Sequence, residues 1–308
     1  QTTAAEDNLI EETTLTDSVP DLNFNGSDFR VLARPTMYIE EMYVESDTGD
    51  VVDTAVFNRN QAIQERFNIK FVFVESSNSN YETDAQQIIL AGSNDFELVL
   101  PHARAATMYG QEGLLVNWHD LDYIDLEMPW WNQNVVEEFT LYGKLYSMTG
   151  SLSYLSLGMS FGIFFNKNIL NDLNIEYPYK AVGDGTWTFE KMSKIALDSS
   201  KDLNGDGAMD PEKDQFGYAT ADWHGCMNVL WAQEGRISGK DESGELVLKL
   251  YNDRTVNIYS RYFELTSNEG SYVFDSERSD QYIVEKLFGE GRAAILEFSL
   301  ISMENALV

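Results

Sequence analysis

One short acidic stretch has the residue types and the spacing of a calcium-binding loop. Oxygen-bearing residues recur at alternate positions, and a glycine at the sixth position permits a sharp turn. Ca²⁺ takes six to eight oxygen ligands, which a tightly wound loop can supply. We therefore predict a structural Ca²⁺ ion, with an ordinary polar turn as the alternative. The expected ligands are Asp202, Asn204, Asp206, the backbone carbonyl of Ala208, Asp210 and, closing the shell, Asp214 or Glu212, because Lys213 occupies the twelfth position.

Residues suited to catalysis are scarce. The three histidines, His102, His119 and His224, have no partners at the spacing of a zinc site. The sequence has no phosphate-binding glycine loop and no nucleophile elbow. Two carboxylates could hydrolyse a glycosidic bond, but among 51 acidic residues no pair stands out. The sequence thus favours a binding protein without enzymatic activity. A glycan-acting hydrolase is the alternative, and it would release product from oligosaccharides.

Aromatic residues indicate a ligand site. Tyr154, Trp223, His224 and Trp231 lie in stretches that we predict to connect regular elements. Sugar rings present C–H faces that stack on indole and phenol rings, and their hydroxyl groups need polar partners. These residues predict a carbohydrate-binding cleft. For each ring taken singly, ordinary core packing is the alternative.

The composition limits the partners. The chain has 308 residues, with 21 basic and 51 acidic side chains, and its net charge is −30. Such a chain is repelled by the phosphates of nucleic acids and by anionic lipids, so neither is an expected partner. Cys226 is the single cysteine, which excludes an internal disulfide. No apolar run reaches the roughly 18 residues of a membrane-spanning helix.

The order of the predicted elements indicates an α/β fold. After a Thr- and acid-rich stretch, residues 1–23, which we predict to be a disordered tether, the chain alternates between strands and helices. This β-α-β-α-β order predicts a mostly parallel sheet, with a ligand-facing loop at 101–104 after its last strand. The strands are expected at 29–35, 71–75 and 96–100, and the helices at 51–66 and 82–91.

A second α/β region is predicted after residue 119. Thr188 is placed to cap a helix that ends near residue 199, and residues 236–250 form two strands around a turn. Further strands are expected at 161–166, 216–218 and 292–297, a strand or hairpin arm at 143–148, and further helices at 252–267 and 279–288.

Five motifs in register resemble the extracellular solute-binding proteins of bacterial ABC importers, in the branch that handles sugars and oligosaccharides. The motifs span about residues 95 to 300 and include the loop DLNGDG with the FGY that follows it. The others are DFELVL with GLLVNW, GKLY with FFNK, TWTFEKM, and LFGEGRAAI.

The resemblance implies two α/β lobes, joined by a hinge, that close on a ligand in the cleft between them. We expect the first lobe at 24–118 and the second at 119–308. His102 and Arg104 should face the cleft, together with the aromatic residues named above. The implied ligand is a mono- or oligosaccharide, and the implied partner is the membrane permease of the importer. The implied location is the cell exterior, with residues 1–23 as the linker of a lipoprotein, or the periplasm.

One departure from the family concerns the segment that follows the strand at 292–297. Family members return to the first lobe after this strand, whereas this chain reaches Val308 within a few residues. We therefore expect an exposed apolar edge on the first lobe. Two further alternatives are the same fold binding a peptide or another small solute, and a calcium-stabilised adhesion module.

Overall fold

A computed structural model describes residues 15–76, 81–275 and 282–303. The chain forms two compact units. The first ends at Ser153 and the second begins at Tyr154. No helix among the described residues is long and apolar enough to cross a membrane. Of the predicted tether, residues 1–14 lie outside the described part, and residues 15–23 form no regular element.

The first unit contains a parallel three-stranded sheet with the spatial order β2-β1-β3. This confirms the predicted β-α-β-α-β order. The strands are β1 (Ser27–Ala33), β2 (Ile69–Glu75) and β3 (Leu98–Leu100). The helices are α1 (Met37–Glu40), α2 (Val51–Phe67), α3 (Tyr81–Leu90), α4 (Ala103–Gln111) and α5 (Gln133–Phe139), with a 3₁₀ turn at Trp118–Asp120.

Local sequence signals set the ends of these elements. Asp50 caps α2 by accepting hydrogen bonds from two backbone N–H groups of the first turn, and Asn68 ends it in the left-handed conformation. The centre of the unit is apolar, because Leu32 from β1 packs with Ala85 from α3 and Tyr109 from α4. Burial of this cluster holds the helices against one face of the sheet.

The division between the units falls later than the predicted boundary at 118/119. Residues 119–153 pack with the first unit, since the Trp118 N–H donates to the Leu145 carbonyl at 2.8 Å and Leu145 is fully buried. The Ser153 hydroxyl donates to Glu41 at 2.9 Å. No strand forms at 143–148, where Lys144 makes only an isolated antiparallel bridge with Leu141.

The second unit contains a four-stranded sheet with the order β4-β9-β5-β8, in which only β4 is antiparallel. Its strands are β4 (Phe161–Phe165), β5 (Phe216–Ala221), β8 (Ser271–Phe274) and β9 (Ala293–Ser299), and the predicted hairpin is β6 (Ser238–Lys240) with β7 (Leu246–Leu248). Its helices are α6 (Leu155–Gly158), α7 (Lys167–Asp172), α8 (Tyr179–Gly183), α9 (Phe189–Ser199), α10 (Asp222–Ala232), α11 (Asp253–Thr266) and α12 (Ile283–Gly289).

Helices cover both faces of this sheet. One cluster joins Tyr218 and Ile295 to buried residues of α9, α10 and α11. Another joins Phe216 and Leu296 to α12. The predicted cap of α9 is confirmed, because the Thr188 side chain accepts a hydrogen bond from the backbone N–H of Lys191. The described part of the predicted 279–288 helix begins at residue 283, and residues 279–281 lie outside the described part.

Candidate functional site

In the first unit, the carboxyl ends of β1 and β3 form a topological switch point. The chain passes from β1 to β2 on one side and then to β3 on the other side of β1. The crevice beyond the carboxyl ends of two such strands is where open α/β sheets bind ligands. Arg34 follows β1 there, and its guanidinium lies 3.8 Å from the centroid of the Tyr38 ring.

His102 lies at this edge, two residues after β3 ends. Its Nδ1 accepts a hydrogen bond from the Arg104 backbone N–H at 3.1 Å, so His102 caps α4. The expectation that residues 101–104 form a loop is therefore wrong for Ala103 and Arg104, which begin the helix. Both His102 and Arg104 are exposed. The sequence prediction missed Arg34 and Tyr38, although an arginine directly after a strand was a usable signal.

The second unit has its own switch point, at the carboxyl ends of β5 and β9. The chain leaves β5, forms β8 on one side, and returns to form β9 on the other side of β5. Trp223 and His224 follow β5 directly and lie in the first turn of α10. The prediction that both lie in a connecting stretch is therefore wrong. The ring centroids of Trp223 and His224 are 3.6 Å apart, and Trp223 is 55% exposed.

His224 is held by aromatic neighbours. Its ring centroid lies 4.9 Å from that of Phe161 in β4 and 5.3 Å from that of Phe298 in β9. Burial lowers the pKa of the His224 imidazole, and the nearby Asp222 carboxylate opposes this shift. A neutral imidazole can both donate and accept a hydrogen bond, which suits recognition of a hydroxyl group.

Tyr154 precedes the short helix α6, near the same edge of the sheet. After β9, the Leu300 N–H donates to the Ser160 carbonyl at 2.9 Å, and the Ile301 N–H donates to the Gly158 carbonyl at 2.8 Å. These bonds fix α6 beside the carboxyl end of β9. Tyr154 is partly exposed there.

Trp231 lies elsewhere. It is at the far end of α10, and the expectation that it lies between elements is wrong. It lines a groove of about 950 Å³ in which every lining residue belongs to the second unit. Phe161 and Ile163 of β4 and Glu297 of β9 form its floor, and Trp187 is among the residues of its walls. The structure thus separates Trp231 from Trp223 and His224.

Glu297 is the acid buried at the floor of the groove. It is only 7% exposed, and its Oε2 accepts a short hydrogen bond from the Tyr218 hydroxyl. Burial raises the pKa of the Glu297 carboxyl to about 7, although the hydrogen bond from Tyr218 acts in the opposite direction. The sequence prediction missed this group, which a single acid inside the apolar run of β9 could have indicated.

The acidic loop is organised by its own backbone. The Asp202 carboxylate accepts hydrogen bonds from the N–H groups of Gly205 at 2.6 Å and Gly207 at 2.8 Å. The side chains of Asn204 and Asp206 each accept from the N–H group two residues ahead. Within the described ranges, no group of three or more Asp, Glu, His or Cys side chains is gathered in a way that could hold a metal ion.

Asp214 closes this loop from inside. It is fully buried, and its two oxygens accept hydrogen bonds from the N–H groups of Asp210, Leu203 and Asn204, which lower the pKa of its carboxyl. The Lys213 ammonium lies 2.6 Å from Asp210 Oδ2. The loop oxygens suit Ca²⁺ chemically, but a bound ion would compete with Lys213 for Asp210 and with backbone N–H groups for Asp214.

Several solved structures share this fold. The match with UspC of M. tuberculosis covers 90% of this chain and 64% of the UspC chain, at 17% identity and a TM-score of 0.56. The match with a cyclo/maltodextrin-binding protein complexed with maltotetraose covers 95% of this chain and 63% of that protein, at 13% identity and a TM-score of 0.57. The match with the maltose/maltodextrin-binding domain MalE of Bdellovibrio bacteriovorus, bound to maltotriose, covers 91% of this chain and 62% of that domain, at 13% identity and a TM-score of 0.53.

These matches confirm the α/β fold of the solute-binding proteins that the motifs indicated. The chain spans 62–64% of the length of these three proteins. No protein-family model matches the sequence, and no curated protein sequence matches it.

Proposed function

We propose that this protein captures a carbohydrate outside the cell and delivers it to the permease of an ABC importer, without chemical change to the sugar. The observation that carries the proposal is the pair of switch points, one in each unit, each with an exposed ring-bearing side chain just after a strand end. His102 marks the first and Trp223 the second. The proteins with this fold that bind maltotetraose and maltotriose support the choice of ligand.

The chemistry of these residues suits a sugar. The Trp223 indole offers a flat apolar face for a pyranose ring, while His224 offers a neutral hydrogen-bonding group beside it. In the first unit, Arg34 and His102 supply polar groups at the edge of the parallel sheet. Aromatic stacking with a few polar contacts is the usual composition of a small-molecule site.

Titration calorimetry with maltotriose, maltotetraose and a panel of other sugars tests the proposal. Replacing Trp223 with Ala should weaken binding by about tenfold to a hundredfold, since a stacked aromatic side chain contributes on the order of 1.5–3 kcal/mol. His102→Ala should weaken binding less. Tyr251→Ala is the matched control. Tyr251 is an aromatic residue of the second unit that is 87% exposed, and it does not line the groove beside Trp231. Unchanged affinity in both test variants would refute these assignments.

Analysis of the incubated sugars for product separates this function from the alternative of a glycan-acting hydrolase. Capture leaves every oligosaccharide intact, whereas hydrolysis shortens it. Peptides added to the same panel test the alternative of another solute. Lipoprotein tethering through residues 1–23 belongs to the same proposal, and membrane fractionation of the native protein before and after lipase treatment tests it.

We also propose that the loop from Asp202 to Asp214 binds a structural Ca²⁺ ion. The alternating oxygen donors of the sequence support this assignment. At free Ca²⁺ about 100-fold above its dissociation constant, the ion should stabilise the protein by about 2.7 kcal/mol. Asp206→Ala should abolish this effect in calorimetric melts with and without a chelator, whereas Asp198→Ala, on the exposed face of α9, should retain it. Melting that does not depend on Ca²⁺ would refute the site.

A further inference from the structure

We propose that the groove beside Trp231 is a second carbohydrate-binding site, separate from the switch-point residues Trp223 and His224. The groove lies wholly within the second unit and has a volume of about 950 Å³, which is large enough for a small ligand. Trp231 is 50% exposed in it.

The walls and the floor differ in chemistry. Trp187 and Trp231 provide indole surface, and Phe161 and Ile163 of the edge strand β4 are each about two-fifths exposed on the floor. These side chains suit the apolar C–H faces of a pyranose ring. The buried carboxyl of Glu297 is the polar group of the floor, where a ligand hydroxyl group could pair with it.

A fixed polar network lines one side of the groove. The Arg261 guanidinium donates hydrogen bonds to the carboxylate of Glu190 and to the amide oxygen of Gln233, and all three residues line the groove. Because these partners hold one another in place, they can bind hydroxyl groups with little loss of conformational entropy. Planar side chains of these three types bind neighbouring hydroxyl groups in pairs.

Two cations favour a neutral sugar over an organic cation as the ligand. Lys167 Nζ lies 5.4 Å from the centroid of the Tyr179 ring, and the Arg261 guanidinium lies 5.7 Å from that of Phe189. Both rings line the groove. One face of each ring is therefore already used by a cation of the protein. The indoles of Trp187 and Trp231 have no such cation among the described contacts.

The geometry of α10 places the two tryptophans apart. Trp223 and Trp231 are eight residues apart on the helix, which separates them by about 12 Å along its axis. Phe161 is the common boundary, since it contacts His224 and also lines the groove. A single sugar ring cannot stack on both tryptophans.

Fluorine NMR of the full chain labelled with 5-fluorotryptophan tests the proposal. Maltotriose, and the other sugars of the calorimetric panel, are titrated into the wild type and into Trp223→Ala. We expect the resonances of Trp187 and Trp231 to shift and to saturate in both proteins. Trp231→Ala should weaken the response of Trp187 at least about tenfold, and Gln233→Ala should weaken it as well without removing an indole. Tyr251→Ala should leave it unchanged.

The outcomes separate the two sites. If Trp187 and Trp231 respond while Trp223 does not, the groove site stands and the switch-point assignment fails. If no sugar moves the Trp187 and Trp231 resonances, or if their shifts disappear in Trp223→Ala, the second site is refuted. Because each variant is compared by its fluorine spectrum without sugar, a variant that fails to fold is recognised, and Gln233→Ala then decides.

Discussion

Replacement of Glu297 by Gln should remove a large part of the pH dependence of stability in the second unit. In the folded protein the Glu297 carboxyl is 7% exposed, and burial raises its pKa from 4.5 to about 7. The unfolded chain keeps a pKa near 4.5. Between these values the unfolded state is ionised while the folded state holds a proton, so stability falls as the pH rises.

The size of the effect follows from the shift. A difference of roughly 2.5 pKa units, at 1.36 kcal/mol each, corresponds to about 3 kcal/mol. The full contribution is present below pH 4.5, decreases between pH 4.5 and 7, and is lost above pH 7. Glutamine has the shape of the protonated acid and keeps an oxygen for the Tyr218 hydroxyl, so the variant should fold.

Urea unfolding at a series of pH values between 5 and 8, followed by tryptophan fluorescence, measures the difference between the two proteins. The wild type should lose about 2.5 kcal/mol relative to Glu297→Gln over this range, since part of the contribution is already lost at pH 5. Other carboxylates, and repulsion from the net charge of −30, act on both proteins and cancel in the comparison. Glu264→Gln, at an exposed position of α11, is the control and should follow the wild type. Parallel curves for Glu297→Gln and the wild type would refute the reasoning.

Three further outcomes are expected. Thr188→Ala should lower the free energy of unfolding by about 1 kcal/mol in urea titrations, because α9 loses its cap, and Thr188→Ser should restore most of it. Gly217→Ala should cost about 2 kcal/mol or more, because its Cβ would meet a backbone oxygen at 1.6 Å, whereas Gly183→Ala faces open space and should be tolerated. NMR titration should place the imidazole pKa of His224 below 6.5, and Asp222→Asn should lower it further.

The first unit was largely predictable from sequence because its signals are local. The apolar run of β1 precedes α2 along the chain, and the apolar run of β2 follows it directly. Asp50 gives α2 a clear start. Short apolar strands with intervening helices leave few arrangements other than a parallel sheet. The boundary between the units was not predictable, because the packing of residues 119–153 depends on contacts such as that of Trp118 with Leu145.

Helix α10 shows why the site was harder to predict. Its sequence, DWHGCMNVLWA, is mainly apolar and lacks a clear polar face, and Ala221 provides no side-chain cap. Without periodicity or a cap, the aromatic residues resembled a connecting stretch. The sugar-binding residue types could be recognised, but their separation into two places could not, because the spacing of Trp223 and Trp231 matters only once the segment is known to be helical.

No single stretch of the sequence predicted the groove. Its floor comes from β4 and β9, and its walls come from residues near Trp187, Trp231 and Arg261. Such a surface is produced by tertiary contacts between distant segments. Trp231 is the lining residue that the sequence analysis names, and Glu297, an acid within an apolar strand, carried a usable signal that was missed.

The position of β9 constrains how the second unit is made. Among the described residues this strand comes last in its sheet along the chain, yet it lies between β4 and β5. While the ribosome synthesises the chain, β4 and β5 have no partner at their facing edges until residues 293–299 have emerged. During that interval the apolar sequence FGIFF of β4 is open to wrong pairing. The pairing of β4 therefore depends on a strand that is synthesised more than 120 residues later.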